Sequence, residues 1–436
     1  MSPPHATLRC IACGRAYPLA EIRYACDACG DLLEVVHDLG RLRSARSAAD
    51  WKALFAARLG ALDGPHRSGV WRYHELILPD LPPGDLVSFP EGNTGLYRHP
   101  GLERASGSAD VRVKHEGENP TLSFKDRGMT AGVSFARHLG VDTVACASTG
   151  DTSAALAAYA ARVPGLKALV VLPRDKVTPE QLAQPLAAGA LTLALPTDFD
   201  GCLRILRELC GRLPLYLLNS VNPLRIEGQK AIVFEILQQL DWRPPDWIVV
   251  PVGNAGNIAA LGKGLIELRD LGIIDRLPRL LGVQAEAAAP LARAHREGYR
   301  TRVRVTAGET AATAIRIGDP VSYDRAVRVV RATGGLFLAA GERALLDATA
   351  LVDAGGVYVC PNSATAAAGF LAARAAGIIE AAAQVVVVAT AHGCKFSRAT
   401  IEYHSGPHAG GPPARANRIV EVDADAGAIE RLIRAR

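Results

Sequence analysis

The stretch Trp247-Ile-Val-Val-Pro-Val-Gly-Asn-Ala-Gly-Asn-Ile258 decides the fold that the sequence predicts. It opens with an apolar run of strand length, continues through a glycine-rich loop, and leads into a helical stretch rich in alanine and leucine. A buried strand that passes through such a loop into a helix is typical of parallel α/β architecture. The sequence therefore predicts an α/β fold.

The loop Gly253-Asn254-Ala255-Gly256-Asn257 has the composition of a phosphate-binding site. Glycine permits positive φ angles and close approach of the backbone, and successive amides at the start of a helix favour an anion. The loop matches neither the G-x-x-x-x-G-K-[ST] pattern of nucleoside triphosphate sites nor the G-x-G-x-x-G pattern of dinucleotide sites. The sequence thus predicts a phosphate of another kind, and an ordinary strand-to-helix turn is the alternative.

Further apolar runs alternate with alanine-rich helical stretches along the chain. The 436 residues are about three times the roughly 150 residues of a typical domain, so two doubly wound α/β domains and a smaller unit fit the length. Near the end, Ile419 to Val422 is interpreted as a last strand, and an amphipathic helix is expected from Ala426. The other expected strands are Ala168 to Leu172, Leu191 to Leu195, Trp247 to Val252, Leu280 to Val283 and Val385 to Ala389.

Two C-x-x-C pairs lie near the beginning of the chain, Cys10 with Cys13 and Cys26 with Cys29, and a glycine follows each pair. This paired spacing is typical of a zinc ribbon, in which four thiolates bind one tetrahedral Zn²⁺ ion. Backbone amides within each pair can donate to the sulfurs. The sequence predicts a structural zinc site, and a pair of redox dithiols is the alternative.

The composition argues against several other classes of protein. Hydrophobic residues form 49% and charged residues 21%, which are globular values and exclude long disorder or a fibrous repeat. The 49 basic and 44 acidic residues are too balanced for the basic surface that nucleic-acid binding needs. No run reaches the roughly 18 apolar residues of a membrane helix, and the start lacks the order of a signal peptide. We expect a cytoplasmic protein with no membrane or nucleic-acid partner.

The segment Asn119-Pro-Thr-Leu-Ser-Phe-Lys-Asp-Arg-Gly128 contains Lys125, one of eight lysines in the chain. The positive end of a helix dipole and the neighbouring Arg127 both disfavour an ammonium there, so we expect a lowered pKa for the amine. An amine with a lowered pKa is the group that Schiff-base chemistry uses. Lys125 is therefore a candidate catalytic residue, and an ordinary surface lysine is the alternative.

The segment Ser148-Thr-Gly-Asp-Thr-Ser153 follows a short apolar strand and leads into an alanine-rich helix. Small hydroxylated residues and backbone amides at the start of a helix form an anion site. The sequence predicts that this site binds a substrate carboxylate. An ordinary group of helix-capping residues is the alternative.

Taken together, these segments resemble the threonine synthase family of fold-type-II pyridoxal-phosphate enzymes, whose fold is like that of the tryptophan synthase β chain. The likeness runs through most of the chain, and three stretches (TDFDGC, QQLDW and TAHGCKF) resemble the plant-type branch of the family. The matching stretches are SGVWRYHELILP, PEGNTGLY, ENPTLSFKDRGMT, STGDTSAALAAYAA, TDFDGC, NSVNPLRIEGQKA, ILQQLDWRPPDWIVVPVGNAGNI, ATAIRIGDP, VYVCPNSATAAAG and ATAHGCKFSRATIEYH.

The resemblance implies roles for the residues that bind the cofactor, pyridoxal 5'-phosphate. Lys125 corresponds to the lysine that carries the cofactor as a Schiff base, and residues 253–257 correspond to those that hold its phosphate. Asp151 is expected near the ring hydroxyl, at a position where asparagine is common in the family. Thr390 corresponds to the residue that hydrogen-bonds the pyridine nitrogen, and a buried threonine at a strand end is the alternative.

The resemblance also implies a reaction, the conversion of O-phospho-L-homoserine and water to L-threonine and phosphate. Such a substrate needs a second anion pocket, and the guanidinium of Arg225 is suited to bind its phosphate with two hydrogen bonds. An ion pair with Glu227 is the alternative role for Arg225. The residues expected to bind substrate are Ser148, Thr149, Thr152, Asn219, Ser220 and Arg225.

The implied organisation is a zinc ribbon at residues 1–35, a large cofactor-binding α/β domain at 36–120 and 245–436, and a small α/β domain at 121–244. A homodimer is expected by the same resemblance. Two alternatives stay open. The chain could be a related lyase or synthase, such as threonine or serine dehydratase or cysteate synthase. It could also be a cofactor-binding regulator whose ribbon contacts nucleic acid, although the balanced charge argues against this.

Overall fold

The computed structural model describes residues 5–148, 150–174, 177, 179–406 and 413–435. The strands are β1 (Ala6–Cys10), β2 (Ala16–Pro18), β3 (Leu33–His37), β4 (Leu96–Arg98), β5 (Asp110–His115), β6 (Thr143–Ala147), β7 (Lys167–Pro173), β8 (Leu191–Leu195), β9 (Leu215–Leu217), β10 (Trp247–Pro251), β11 (Arg279–Ala285), β12 (Leu336–Ala340) and β13 (Gln384–Ala389). The α-helices are α1 (Leu39–Ala45), α2 (Ala48–Leu59), α3 (His74–Ile77), α4 (Pro100–Ser106), α5 (Lys125–His138), α6 (Asp151–Ala160), α7 (Pro179–Ala187), α8 (Phe199–Cys210), α9 (Leu224–Gln239), α10 (Gly256–Asp270), α11 (Pro290–Arg296), α12 (Tyr323–Ala332), α13 (Glu342–Asp353), α14 (Pro361–Ala375), α15 (Ser397–Ser405) and α16 (Ala426–Ala435). Short 3-10 helices are Pro65–Arg67, Trp71–Tyr73, Pro83–Asp85, Glu116–Glu118, Glu286–Ala288, Thr313–Ile315 and Gly393–Phe396.

The described strands form three sheets. Near the N-terminus, β1 pairs antiparallel with β2 and β3. The largest sheet has the order β12-β11-β10-β13-β5-β4, and its neighbouring strands are parallel except for the edge pair of β4 and β5. A four-stranded parallel sheet has the order β8-β7-β6-β9. The predicted α/β class is confirmed, and each of the five internal strands expected from the sequence is present.

The centre of the largest sheet shows why its strands consist of continuous apolar residues. All five residues of β10 are buried, and β10 lies between β11 and β13. Ile248 and Val250 belong to one hydrophobic core, whereas Trp247 and Val249 belong to another on the opposite face. A strand that is covered on both faces has no solvent side, so its sequence does not alternate between apolar and polar residues.

One expected strand is wrong. Ile419 to Val422 lies outside the described helices and pairs with no described strand. The side chains of Ile419 and Val420 are 87% and 54% exposed. An apolar run forms a stable strand only when another strand satisfies its backbone groups. The helix expected from Ala426 is confirmed as α16.

Two helices that carry candidate site residues, α5 and α9, pack closely against each other. A Cβ atom at Gly128 would lie 3.1 Å from the backbone oxygen of Arg225, and one at Gly228 would lie 1.8 Å from that of Arg127. Glycine at both positions therefore permits a contact that alanine would prevent. Lys125 begins α5 and Arg225 lies in the first turn of α9, so this contact holds the starts of the two helices together.

The smaller parallel sheet uses residues 143–217, whereas the largest sheet uses residues 96–115 and 247–389. The domain boundaries expected from the sequence, at residues 35, 120 and 244, stay a prediction. None of the helices in the described part of the chain is long and apolar enough to cross a membrane.

Candidate active site

Lys125 lies beside the end of the central strand β13. The backbone N–H of Phe124 donates to the carbonyl of Thr390 at 2.9 Å, and Ser123 forms an antiparallel bridge with Ala391. These backbone bonds bring the start of α5 to the carboxyl end of the largest sheet. Ligands of open α/β sheets bind at this edge.

The side chain of Lys125 is held in a setting that favours the neutral amine. Its nitrogen lies 3.6 Å from the centre of the Phe124 ring and forms no hydrogen bond with a residue that the structure describes. Burial lowers its pKa to about 7, Asp151 opposes this shift, and the cations of Arg225 and Lys395 add to it. The lowered pKa expected from the sequence is confirmed, but its main cause is burial.

The expected influence of Arg127 on this amine is wrong, because the guanidinium bonds to two buried carboxylates. Arg127 donates to Glu116 through Nε at 2.6 Å and Nη2 at 2.7 Å, and to Glu235 through Nη2 at 3.0 Å. Glu235 also accepts from the backbone amides of Asn93 at 2.7 Å and Thr94 at 2.9 Å. The network fixes α5 against the loop at residues 92–95. Sequence reasoning missed the two glutamates, because charged residues in helices and loops are usually exposed.

The loop at residues 253–257 fits an anion. A Cβ atom at Gly253 would lie 2.8 Å from Ile315 Cα, and Ala255 has a positive φ of 62° immediately before α10. Helix α10 begins without a side-chain cap, so its first amides are free to bind a ligand. Asn257 is 7% exposed, and both polar atoms of its amide have no partner among the described residues.

Asn254 joins this loop to residues 321 and 322 through two hydrogen bonds. Its side-chain oxygen accepts from the backbone of Val321 at 3.4 Å, and its carbonyl accepts from Ser322 at 3.0 Å. These bonds hold the loop in shape. The unpartnered amide of Asn257 and the uncapped start of α10 then remain for a phosphate group, which offers the acceptor oxygens that the loop requires.

Thr390 lies immediately after β13 and is 7% exposed. Its hydroxyl oxygen lies 3.2 Å from that of Ser363, which in turn accepts from the backbone N–H of Ala391 at 3.0 Å. Two neutral hydroxyls thus meet at the sheet edge, where a ring nitrogen could accept or share a proton. Ser363 was not singled out from the sequence, although it lies in the VCPNSAT stretch.

Asp151 begins α6 and forms an ion pair with Lys395, with 3.0 Å between Oδ1 and Nζ. Lys395 is 4% exposed and also donates to the carbonyl of Thr121 at 2.9 Å and to Gln184 Oε1 at 3.2 Å. Sequence reasoning missed Lys395. Its signal is a lysine inside the apolar GCKF stretch, close after the central strand.

The expected carboxylate site at the start of α6 is described only in part. Ser148 Oγ accepts from the backbone amides of Gly150 and Ser153, both at 3.2 Å, so this oxygen caps the helix. Thr152 is half-buried in the first turn of α6. Thr149 lies outside the described residues.

The expected second anion pocket contains a buried cation that pairs with no carboxylate of the described residues. Arg225 is 3% exposed, and its Nε has no hydrogen-bond partner among the described residues. Burial lowers its pKa to about 10, which leaves it charged at neutral pH. The alternative pairing with Glu227 is not formed, because Glu227 instead binds His37 and two lysines.

The two polar residues expected beside Arg225 differ in how they are used. Asn219 donates to the carbonyl of Ala147 at 2.7 Å and accepts from its N–H at 2.9 Å, so its amide joins the end of β6 to the segment after β9. Ser220 is half-buried, and its hydroxyl forms no hydrogen bond with the other described residues. The segment is therefore anchored at Asn219 while Arg225 is left free to bind an anion.

The four N-terminal cysteines lie together. Their sulfurs are all within 4.8 Å of one another, with 3.4 Å between Cys10 and Cys29, 3.5 Å between Cys13 and Cys26, and 3.7 Å between Cys13 and Cys29. Zinc–sulfur bonds of about 2.3 Å in a tetrahedron place the sulfurs about 3.8 Å apart. The donor set and its spacing fit a tetrahedral metal ion.

The chain matches the family model described as pyridoxal-phosphate dependent enzyme over residues 87–391. It is similar to chloroplastic threonine synthase 2 of Arabidopsis thaliana, with 44% identity over 414 residues that cover 93% of this chain and 78% of that protein. Threonine synthase of Methanocaldococcus jannaschii is 40% identical over 427 residues, which cover 98% of this chain and 99% of that one. The solved structure of threonine synthase from Escherichia coli has a TM-score of 0.67 at 19% identity, covers 98% of this chain and 99% of that one, and supports the fold alone.

Proposed function

This chain belongs to the pyridoxal-phosphate-dependent enzymes and, within them, to the threonine synthases, and on that premise we propose how its residues convert O-phospho-L-homoserine and water to L-threonine and phosphate. The observation that carries the proposal is the presence of Lys125, an amine with a pKa of about 7, together with Arg225, a buried cation that pairs with no carboxylate of the described residues. The amine suits proton transfer, and the cation suits a phosphorylated substrate.

We assign the cofactor to the residues at the carboxyl edge of the largest sheet. Lys125 would hold the cofactor through its amine, residues 253–257 would bind its phosphate, Thr390 would face the ring nitrogen, and Asp151 would lie near the ring hydroxyl. When bound, the cofactor supplies an electron sink for a carbanion at the substrate Cα. A neutral hydroxyl at the ring nitrogen would make the cofactor a weaker electron sink than a carboxylate would. Thr390 would therefore set how strongly the ring withdraws electrons.

Lys125 performs the proton transfers in this proposal. Once the substrate amine had displaced it, its free amine would remove protons from Cα and Cβ, and the phosphate group would leave from Cγ. Lys125 would then return protons to Cγ and Cα, the hydroxyl of a water molecule would add at Cβ, and the remaining water proton would go to the released phosphate. An amine with a pKa near 7 can accept and return a proton at neutral pH with similar ease.

Arg225 binds the substrate phosphate in this proposal, together with Ser220 and Thr152. Asn219 contributes by anchoring the segment to Ala147 through the two hydrogen bonds of its side-chain amide. In this proposal the substrate phosphate is bound by residues other than 253–257, so the enzyme would hold the cofactor phosphate and the substrate phosphate at once. Ser148 and Thr149 remain the candidates for the substrate carboxylate.

The four N-terminal cysteines bind one structural Zn²⁺ ion in this proposal. The sulfur distances of 3.4–3.7 Å and the all-thiolate donor set support zinc, which prefers four sulfur ligands in structural sites. We also propose the plant-type branch, on the three stretches named above, a homodimer and a cytoplasmic location.

Covalent mapping tests the site assignment. Borohydride reduction of the protein with bound cofactor should fix the cofactor irreversibly onto Lys125, and peptide mass spectrometry should find it there. The other seven lysines serve as internal controls, because each is present in the same sample. Cofactor on any of those seven would overturn the assignment of Lys125.

A further inference from the structure

The N-terminal region, which contains strands β1 to β3, contacts the chain on both sides of residues 219–225, which carry the proposed phosphate-binding residues. Before this segment, the hydroxyl of Tyr24 accepts from the backbone N–H of Leu217 at 2.7 Å. After it, His37 Nε2 lies 2.6 Å from Glu227 Oε2. Tyr24 and His37 both belong to the N-terminal region that also carries the four cysteines.

The contact of Tyr24 satisfies an edge of the smaller parallel sheet. Strand β9 is the last strand of that sheet, so the backbone groups of Leu217 that face away from β6 have no strand to pair with. Tyr24 accepts from its N–H, and Asn222 Nδ2 donates to its carbonyl at 3.0 Å. Removing the Tyr24 hydroxyl would leave one of these backbone groups unsatisfied, which is costly in a half-buried setting.

Packing reinforces this hydrogen bond. The ring of Tyr24 lies 6.3 Å from that of Tyr216 and packs on the hydrophobic cluster that contains Ala145 and Leu217. Asn219 follows two residues after Leu217 and bonds to Ala147 in the same sheet. The position of Leu217 therefore determines where the segment that leads to Arg225 begins.

The second contact fixes the other end of the segment. Glu227 lies two residues after Arg225 in α9, and both it and His37 are buried. Lys230 and Lys263 also bind Glu227, each at 2.6 Å, so the His37 contact belongs to a charged network between α9 and α10. This network holds the N-terminal sheet to the first turn of α9.

We propose that the N-terminal region positions the substrate anion pocket, and that Tyr24 is the positioning residue that fixes Leu217 and, through it, the segment from Asn219 to Arg225. This inference rests on the proposed function in that it takes residues 219–225 to bind the substrate phosphate. It gives the N-terminal region a role in substrate affinity that structural zinc alone does not imply.

The test titrates inorganic phosphate into the protein with cofactor bound, so that residues 253–257 are already occupied. Tyr24→Phe keeps the ring and removes the hydroxyl, and it should raise the Kd for phosphate by about two- to tenfold, the effect of one lost hydrogen bond. KM for O-phosphohomoserine should rise by the same factor, with kcat and the cofactor absorbance nearly unchanged. Tyr299→Phe is the matched control, because its hydroxyl lies 3.1 Å from His295 Nδ1, away from the segment.

Equal phosphate affinity in Tyr24→Phe and Tyr299→Phe would overturn the proposal, as would a loss of bound cofactor in Tyr24→Phe alone. Melting temperatures of the two variants show whether their losses of stability are comparable. A different result would show that the proposed function, and not the role of Tyr24, is wrong. A wild-type protein that binds phosphate but does not turn over O-phosphohomoserine would contradict that function, while the comparison of phosphate affinities would still decide the role of Tyr24.

Discussion

Lys395 and Asp151 form an ion pair, in which the ammonium nitrogen lies 3.0 Å from a carboxylate oxygen. Lys395 follows the central strand of the largest sheet, whereas Asp151 begins the helix that follows β6 of the smaller sheet. The pair therefore joins the two sheets beside Lys125. Its members act on the pKa of Lys125 in opposite directions, because Asp151 stabilises the ammonium and Lys395 destabilises it.

Substitutions of the two partners should shift the pKa of Lys125 in opposite directions. Lys395→Met removes a neighbouring cation and should raise this pKa above about 7, whereas Asp151→Asn removes the neighbouring anion and should lower it. The measurement is the pH dependence of Lys125 acylation in the cofactor-free protein, followed by mass spectrometry of its peptide. Shifts of the same sign in both variants would show that the pair does not act on Lys125 by its charges.

The buried amine of Lys125 should make stability depend on pH. Its pKa is about 7 when folded and about 10.5 when unfolded, so between these values the unfolded chain binds the extra proton and stability rises with pH. In the cofactor-free protein, Lys125→Met should therefore have a higher Tm than the wild type. The gain should be largest at and below pH 7 and should shrink as the pH approaches 10.

The control for this prediction is Lys167→Met, because the side chain of Lys167 is exposed. Its Tm difference from the wild type should stay nearly constant over the same pH range. Thermal unfolding of the three proteins in a series of buffers provides the comparison. A Tm gain for Lys125→Met that does not change between pH 7 and pH 10 would contradict the lowered pKa.

Arg225→Ala should impair turnover of the phosphorylated substrate and leave cofactor binding nearly intact. Loss of a charge-assisted pair in a buried site should reduce kcat/KM by the equivalent of about 2–4 kcal/mol. Arg225→Lys should recover only part of this, since an ammonium cannot make the paired hydrogen bonds of a guanidinium. The measurements are steady-state kinetics with O-phosphohomoserine and a cofactor titration of each variant.

Arg212→Ala serves as the control, because Arg212 is exposed and pairs with Glu208 on the surface. It should have wild-type kinetics. Full activity in Arg225→Ala, or loss of cofactor in place of activity, would mean that Arg225 has a structural role and does not bind the substrate phosphate.

The cysteine cluster should bind about one zinc ion per chain and contribute to stability more than to the chemical step. Cys29→Ser should release the zinc and lower the Tm, with kcat nearly unchanged. Cys210→Ser is the control, because Cys210 lies outside the cluster. Metal analysis and thermal unfolding of protein prepared without chelator provide the measurements. A wild-type protein without zinc, with four freely titratable N-terminal thiols, would contradict the assignment.

The sequence predicted well those parts of the protein that depend on local pattern. Strand β10 was recognisable because a strand covered on both faces is apolar throughout, and the helix that begins at Lys125 was expected at that position. The cysteine spacing likewise predicted the observed cluster. Each of these signals lies within about twenty consecutive residues.

Features that depend on distant parts of the chain could not be predicted. Arg127 was expected to lower the pKa of Lys125. Its guanidinium instead donates to Glu235, which lies more than one hundred residues away in the sequence. Ile419 to Val422 has the residues of a strand but no partner, and only the tertiary structure decides whether a partner exists. Lys395 was missed for the same reason, because its partner Asp151 begins a helix that follows a strand of the other parallel sheet.

The most direct test of the proposed reaction measures both products that the purified protein forms from O-phospho-L-homoserine with pyridoxal phosphate bound. We expect L-threonine and phosphate in equal amounts, with little turnover of O-phosphoserine, serine or threonine. Phosphate release accompanied by ammonia and a keto acid in place of threonine, or turnover of serine or threonine without any of O-phosphohomoserine, would contradict it and favour a dehydratase.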